Sequence, residues 1–315
     1  MTQQNQALAV SVSGLRKSFG GTTALDGIDL AIGEGTIFAL LGPNGAGKTT
    51  TVQILSTLIP ADAGQVRVAG RDVRTEPDLV RAALGVTGQF AAVDNLLTGR
   101  ENLLLMADLS HLDRGEGRRR AAELLELFEL TDAAGKPAMT LSGGMRRRLD
   151  LAMTVMIRPR ILFLDEPTTG LDPRGRRRMW QIVRDLVAAG TTVLLTTQYL
   201  DEADQMADRI AVLDNGRLVA EGTAGELKRG VPGSHILLQF ATPGQLGAAA
   251  RALDAASPDE EALTLRVPGD GSPKSLRALL DQLAARSVDV AALTVHTPDL
   301  YDVFLALTGH PGPGS

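Results

Sequence analysis

Cysteine is absent from this 315-residue chain, which excludes disulfides and thiolate metal sites and suits a reducing compartment. Aromatic residues are scarce at 3%, too few for the stacking platforms that read single-stranded nucleic acid. The net charge of −5 argues the same way, so no nucleic-acid partner is expected. Histidine occurs only at His111, His235, His296 and His310; none stands in a motif described below, and each reads as a surface or packing residue. Long apolar runs are missing too. The stretches 37–41 and 161–164 fall far short of the roughly 18 residues a membrane helix needs. The first six residues lack the basic start and apolar middle of a secretory signal and are expected to form a flexible N-terminus. Any work at a membrane therefore requires a separate spanning subunit.

What is present is an ordinary globular composition, 44% apolar and 22% charged, long enough for one large domain and one small one. Residues 8–73 are β-rich. An apolar strand over 35–41 runs into a glycine loop and a helix from about Lys48. Helical apolar spacing follows within 95–129, then a buried strand over 158–164, a helix over 176–189 and a strand over 191–197. Strands alternating with helices predict an α/β domain with a mainly parallel core sheet. It is expected to span 7–228, with a helical subdomain over about 93–155. The Gly- and Pro-bearing stretch 229–234 reads as a linker. Beyond it, 235–309 reads as a small α+β domain: strand 235–240, helix 244–256, strand 262–267, helix 273–286, strand 290–295 and a last helix, with 310–315 a loose tail. Thr297 reads as the last helix's cap and Pro298 as its first turn, with Gly309 past its end.

Three motifs carry chemistry. Gly42-Pro43-Asn44-Gly45-Ala46-Gly47-Lys48-Thr49-Thr50 follows an apolar strand and opens a helix. Glycines let consecutive N–H groups curl round a phosphate, and the helix adds its positive end. Lys48 would bridge the β- and γ-phosphates as a charged group without a packing role, and Thr49 would ligate Mg²⁺. Ile161-Leu162-Phe163-Leu164-Asp165-Glu166 delivers two carboxylates at a strand exit. Asp165 would hold Mg²⁺ through water, and Glu166 would polarise the attacking water. Leu141-Ser142-Gly143-Gly144-Met145 precedes a helix expected from about Arg146 and makes a second anion-binding start. One chain needs one such loop to grip ATP; a second implies that two copies meet, each closing the other's site.

The order of these motifs resembles that of ABC-transporter nucleotide-binding domains over residues 8–228. The resemblance implies a phosphate-loop NTPase fold of ABC type, with a mainly parallel core sheet, an antiparallel β-subdomain and a helical subdomain. It further implies ATP and Mg²⁺ as cofactors, a polytopic permease as partner, and a second ATP-binding subunit, a homodimer first. Phe19 stands where the family stacks an aromatic on adenine, with a core position in the first hairpin as the other reading. Gln89 matches the glutamine that touches Mg²⁺ and the attacking water and links the core to the helical subdomain. Asp172, in Gly170-Leu171-Asp172-Pro173, matches the loop that crosses the dimer interface.

One position departs from the family pattern. The γ-phosphate histidine after strand 192–197 is replaced by Gln198, whose amide can donate a hydrogen bond but carry no charge. Glu166 is then the principal base or water-orienting group. Gln198, the segment Leu141-Ser142-Gly143-Gly144-Met145-Arg146-Arg147-Arg148-Leu149 and the C-terminal domain are similar to the daunorubicin/doxorubicin-resistance ATPases of actinobacterial exporters. The expected function is an exporter's ATPase at the cytoplasmic face of the membrane; the alternative is a soluble ABC ATPase with a non-membrane partner. The arginine clusters 118–120, 146–148 and 174–178 read as solvated helix faces.

Overall fold

The computed structural model describes residues 7–88, 92–231, 234–253, 257–269, 272–296 and 298–309. These fall into two compact units that divide between Ala224 and Gly225, inside the helix Ala224–Arg229. The sequence places the expected linker a few residues later, over 229–234.

The first unit contains two sheets. Leu8–Phe19, Thr22–Gly33, Ala63–Val68 and Arg71–Asp72 form an antiparallel sheet. The second sheet holds six strands, in the order Arg217–Gly222, Arg209–Asp214, Ile37–Leu41, Thr192–Thr197, Ile161–Asp165, Leu84–Thr87. Its neighbours pair in parallel except for the hairpin of the first two. The strands Ile37–Leu41, Ile161–Asp165 and Thr192–Thr197 are buried at every position, which is why they read as apolar runs rather than alternations. One continuous core joins the sheets: Val10, Leu30 and Val66 from the antiparallel one meet Phe38, Phe163 and Leu213 from the parallel one, with Ile54 and Leu55 of the helix Lys48–Leu55 also in the cluster.

The helices Gly99–Leu109, Arg114–Leu127 and Gly143–Thr154 occupy the stretch between the phosphate loop and the carboxylate strand. Thr98 and Glu101 make a reciprocal capping box, and Asp113 and Ser142 cap the other two, so each start is written in its local sequence.

The second unit is an antiparallel sheet ordered Ser257–Asp259, Thr264–Pro268, His235–Gln239, Ala292–His296. The helices Pro243–Ala252 and Pro273–Ala284 supply Leu246, Ala249, Leu279 and Leu283 to a core shared with Ile236, Leu238 and Leu265. The strand Ser257–Asp259 was not foreseen. The last helix is Leu300–Thr308 and its cap is Asp299, a correction to the reading at Thr297, which lies outside the described residues. The physical reason is a capping box: Asp299 Oδ1 accepts from Tyr301 N at 2.8 Å and Asp302 N at 3.0 Å, while Asp302 Oδ2 accepts from Asp299 N at 3.0 Å. Val303 and Phe304 are 1% and 2% exposed. Replacing Phe304 with alanine is therefore expected to cost this unit about 3–5 kcal/mol. Chemical denaturation followed by a probe in residues 225–309 measures the loss, and a cost below about 1 kcal/mol would mean that the helix contributes no packing.

Candidate active site

Four parallel strands bring their C-terminal ends to one edge of the sheet, the place where ligands bind in open α/β folds. Leu41 pairs with Thr197 and Asp165 with Thr196. The glycine loop, Gln198 and the Asp165-Glu166 exit therefore leave the sheet side by side. Thr87 pairs with Leu164 and brings the chain to Gly88 at the same edge. Gln89, the next residue, lies outside the described residues.

The loop passes through left-handed backbone at Gly45 and Gly47, with φ of 83° and 106°. A Cβ at Gly47 would stand 2.6 Å from Leu25 Cδ2, and one at Gly42 2.3 Å from the Leu213 carbonyl oxygen. Side chains are excluded from the cradle at both ends. The helix Lys48–Leu55 has no side-chain cap, which leaves its first N–H groups to an anion. Lys48 is 5% exposed, and its ammonium donates to the carbonyls of Gly42 at 2.8 Å and Pro43 at 3.0 Å. Glu166 Oε1 lies 3.8 Å away. Burial pushes the lysine pKa down, against the carboxylates of Glu166 and Asp165, which hold it up. Lys48 thus anchors its own loop, a correction to the view that it has no packing role.

Asp165 is buried and accepts from the hydroxyls of Thr196 at 2.5 Å and Thr49 at 3.1 Å. Hydroxyl and carboxylate oxygens are hard donors that fit Mg²⁺, which takes few protein ligands and fills its octahedron with phosphate and water oxygens. Thr49 and Asp165 would hold it here. Among the described residues no cluster of three or more His, Cys, Asp or Glu is present. Glu166 adopts φ of 48°, a left-handed conformation that costs a non-glycine residue roughly 1–2 kcal/mol. Its N–H is held by the carbonyl and hydroxyl of Thr196 at 3.2 and 3.1 Å. The strain turns the carboxylate out of the strand line toward Lys48. Gln198 is half-buried just beyond Thr197. Phe19 is 49% exposed with the Lys17 ammonium 5.3 Å from its ring centre, so the core reading of this residue does not apply.

The signature segment lies elsewhere. Its helix is Gly143–Thr154, three residues earlier than expected, because Ser142 is the cap: its Oγ accepts from Met145 N at 3.2 Å. The glycines are the first turn, and their N–H groups are the donors a helix leaves unpaired. Asp172 caps the helix Pro173–Ala188, accepting from Gly175 N at 2.7 Å. Ser142, Gly144, Met145 and Asp172 line one cavity of ≈ 520 Å³ with Arg174 and Arg177, and none of Lys48, Thr49, Asp165 or Glu166 lines it. The motif residues form two groups.

Comparison with known proteins agrees with this geometry. The chain is 50% identical over 311 residues to the daunorubicin/doxorubicin resistance ATP-binding protein DrrA of Streptomyces peucetius, covering 96% of this chain and 93% of that one. It belongs to the ABC transporter family of ATP-binding proteins. The family profile described as ABC transporter matches residues 25–169. Doxorubicin resistance ATP-binding protein DrrA of Mycobacterium tuberculosis is 43% identical, over 98% of this chain and 96% of that one. The linearmycin resistance ATP-binding protein LnrL of Bacillus subtilis is 35% identical, over 94% and 96%. Among solved structures, an ATP-binding subunit of an ABC transporter superposes with a TM-score of 0.64 at 27% identity, covering 71% of this chain and 93% of that one. A dimeric ATP-binding cassette bound to ADP and Pi after hydrolysis superposes at 0.62 with 28% identity, covering 68% and 98%. The chain is an ATPase of this family.

The cassette contains one structural device that the sequence reading missed. Arg147 is not a solvated arginine. Its guanidinium donates to the carbonyls of Gly88 at 2.7 Å, Asp165 at 3.0 Å and Pro167 at 3.2 Å, and pairs with Asp150 at 3.4 Å. Asp150 in turn accepts from Ala92 N at 2.8 Å, while burial pushes its pKa up. The pair holds Gly88 and Ala92 and props the carbonyls around the strained Glu166. Arg148 and Arg178 likewise reach the carbonyls of Phe128 and Leu127, at 2.8 and 3.2 Å. The clusters were read as surface because arginine stems bury readily while the planar head finds carbonyls, a difference invisible in a run of identical residues.

Lys48→Met keeps the buried stem and removes the charge. Nucleotide affinity, titrated with a fluorescent ATP analogue, is expected to fall roughly 10- to 150-fold, the scale of one charge-assisted contact, in a variant that remains folded but with a lowered thermal midpoint, because its loop loses two hydrogen bonds. Wild-type affinity in the folded variant would contradict the phosphate-loop role.

Proposed function

We propose that this chain powers an exporter of drug-like or lipophilic antibiotics, binding ATP and Mg²⁺ between two copies at the cytoplasmic face of the membrane. The observation that carries the reading is the separation of the motifs. Lys48, Thr49, Asp165 and Glu166 make one half of a nucleotide site, while Ser142, Gly144 and Asp172 gather round a different cavity. A second copy supplies what each half lacks. In the assembled site the glycine loop and Lys48 bind the phosphates, and Phe19 stacks on the base. Thr49, Asp165 and Gln89 hold Mg²⁺, which when bound neutralises phosphate charge. Glu166 accepts a hydrogen bond from the attacking water and polarises it, and Gln198 donates to the γ-phosphate. The partner's Leu141-to-Met145 segment closes the other side, with Asp172 at the interface.

Drug export is supported by the relatives' names. No helix among the described residues is long and apolar enough to cross a membrane, so a permease subunit carries the path. A groove of ≈ 220 Å³ is lined by Val86, Gly88, Ala92, Met106, Met153 and Ile157, and its place beside the exit of the strand Leu84–Thr87 suits a partner that reports on the nucleotide site. The C-terminal unit, with no phosphate loop, serves assembly. Glu166→Gln, which keeps the shape and removes the negative charge, is expected to retain ATP affinity, stop turnover and accumulate a dimer with Mg-ATP. Light scattering on the chain alone and on the assembled transporter checks it. Monomers at saturating Mg-ATP in both settings would overturn the paired-copy reading.

A further inference from the structure

Behind Glu166 and Gln198 the first unit buries one carboxyl group to which the nucleotide chemistry gives no part. Glu202, on the helix Leu200–Met206, is 0% exposed. Its Oε1 accepts from two donors, Thr168 Oγ1 at 3.0 Å and Trp180 Nε1 at 3.2 Å. The three residues belong to three segments of the proposed site. Thr168 stands two positions past Glu166 and is itself buried. Trp180 belongs to the helix Pro173–Ala188 that Asp172 caps. Glu202 follows Gln198 by one helical turn.

Two of these segments, the helix Pro173–Ala188 and the stretch after Gln198, are tied a second time at the surface. Arg176 lies 5.2 Å from the centre of the Tyr199 ring and 3.6 Å from Asp201 Oδ2. The buried and the exposed ties act on one short stretch, 199–202, that begins directly after Gln198.

Glu202 Oε2 is solvent-inaccessible and receives no hydrogen bond of good geometry among the described residues, although the Thr197 hydroxyl lies near enough to act on the carboxyl group. No cation pairs with this carboxyl group among them either. An ionised carboxylate in that position would leave an uncompensated charge, which is the most costly group to bury. A proton on Oε2 removes the charge and leaves a hydroxyl donor next to the Thr197 hydroxyl, which already accepts from Tyr199 N at 2.9 Å.

We propose that Glu202 is a positioning residue, carried as a neutral carboxylic acid, that fixes Gln198 relative to the Glu166 loop and to the helix behind Asp172. Burial pushes its pKa up and the neighbouring Asp201 carboxylate adds to this, while the hydroxyls of Thr197 and Thr168 and the indole N–H of Trp180 act in the opposite sense. The proposal rests on the assignment of Glu166 and Gln198 to the γ-phosphate end of the site. It adds a route by which a partner copy pressing on the Asp172 loop moves the helix Pro173–Ala188, and with it the placement of Gln198.

The test compares Glu202→Gln and Glu202→Leu in the full chain assembled with its permease, reading kcat, the KM for ATP and the thermal midpoint, together with the infrared spectrum of the full chain. The amide of glutamine reproduces a neutral acid's donor and acceptor, so Glu202→Gln is expected to keep kcat within about threefold of wild type. Glu202→Leu loses both bonds, and its kcat is expected to fall roughly tenfold or more, with KM little changed. The wild-type spectrum at neutral pH is expected to contain a protonated-carboxyl C=O band that Glu202→Gln lacks. Equal damage in both variants, or no such band, would overturn the neutral acid, and wild-type kcat in Glu202→Leu would overturn the positioning role. If Glu202→Leu fails to fold, Thr168→Val removes one donor at nearly constant volume and Trp180→Phe removes the other with a smaller ring; wild-type kcat in both would overturn the proposal. A wild-type chain without ATP turnover would instead sink the functional reading, and the infrared band would still report on Glu202.

Discussion

Parallel pairing of the strands Ile37–Leu41, Thr192–Thr197 and Ile161–Asp165 is the constraint from which the site follows. Because Leu41 stands beside Thr197 and Asp165 beside Thr196, the phosphate loop, Gln198 and Glu166 are neighbours although far apart in sequence. A one-residue slip in either pair would turn every side chain of the slipped strand to the opposite face and part Asp165 from the hydroxyls of Thr49 and Thr196. Burial of these strands at every position makes that slip expensive, since side chains on both faces would lose their packing. The geometry of the proposed site is thus held by the hydrophobic core rather than by its polar groups.

Those polar groups instead manage charge in a dry place. Lys48 is desolvated, and two carboxylates and two loop carbonyls compensate it. Arg147 is desolvated too, and it is satisfied by the carbonyls flanking Glu166 and by Asp150. Each buried charge has partners of the right kind, as burial demands. The left-handed Glu166 is affordable only because Thr196 holds its N–H and Arg147 holds the carbonyls around it, which makes it a strained residue at a functional point.

Much of this was legible in the residue order. Gly42 to Thr50 follows an apolar run and Asp165-Glu166 ends one, so periodicity and glycine spacing sufficed to locate both. The signature helix, expected from about Arg146, starts three residues earlier because Ser142 caps it and Gly143 and Gly144, poor helix formers, are nevertheless its first residues. The last helix was capped at the wrong residue because Thr297 and Pro298 outbid Asp299 locally, and only the reciprocal bond to Asp302 decides it. Arg147 and Glu202 were illegible for a different reason. Their roles depend on partners far away in the chain, and a charged residue inside an amphipathic pattern reads as surface unless the tertiary contacts are known.

The central claim is that each chain holds half of a nucleotide site, with Lys48 on one copy and Ser142 on the other. A mixing experiment tests it directly. Chains carrying Lys48→Met and chains carrying Ser142→Arg are each assembled alone and then together, and ATP turnover is measured. Every site in either pure assembly contains one defect. In a mixed pair one site combines the intact Lys48 of one copy with the intact Ser142 of the other, and its companion site takes both defects. The account predicts that turnover is absent from each pure sample and returns on mixing. Turnover that stays absent in pairs shown to have formed would contradict it.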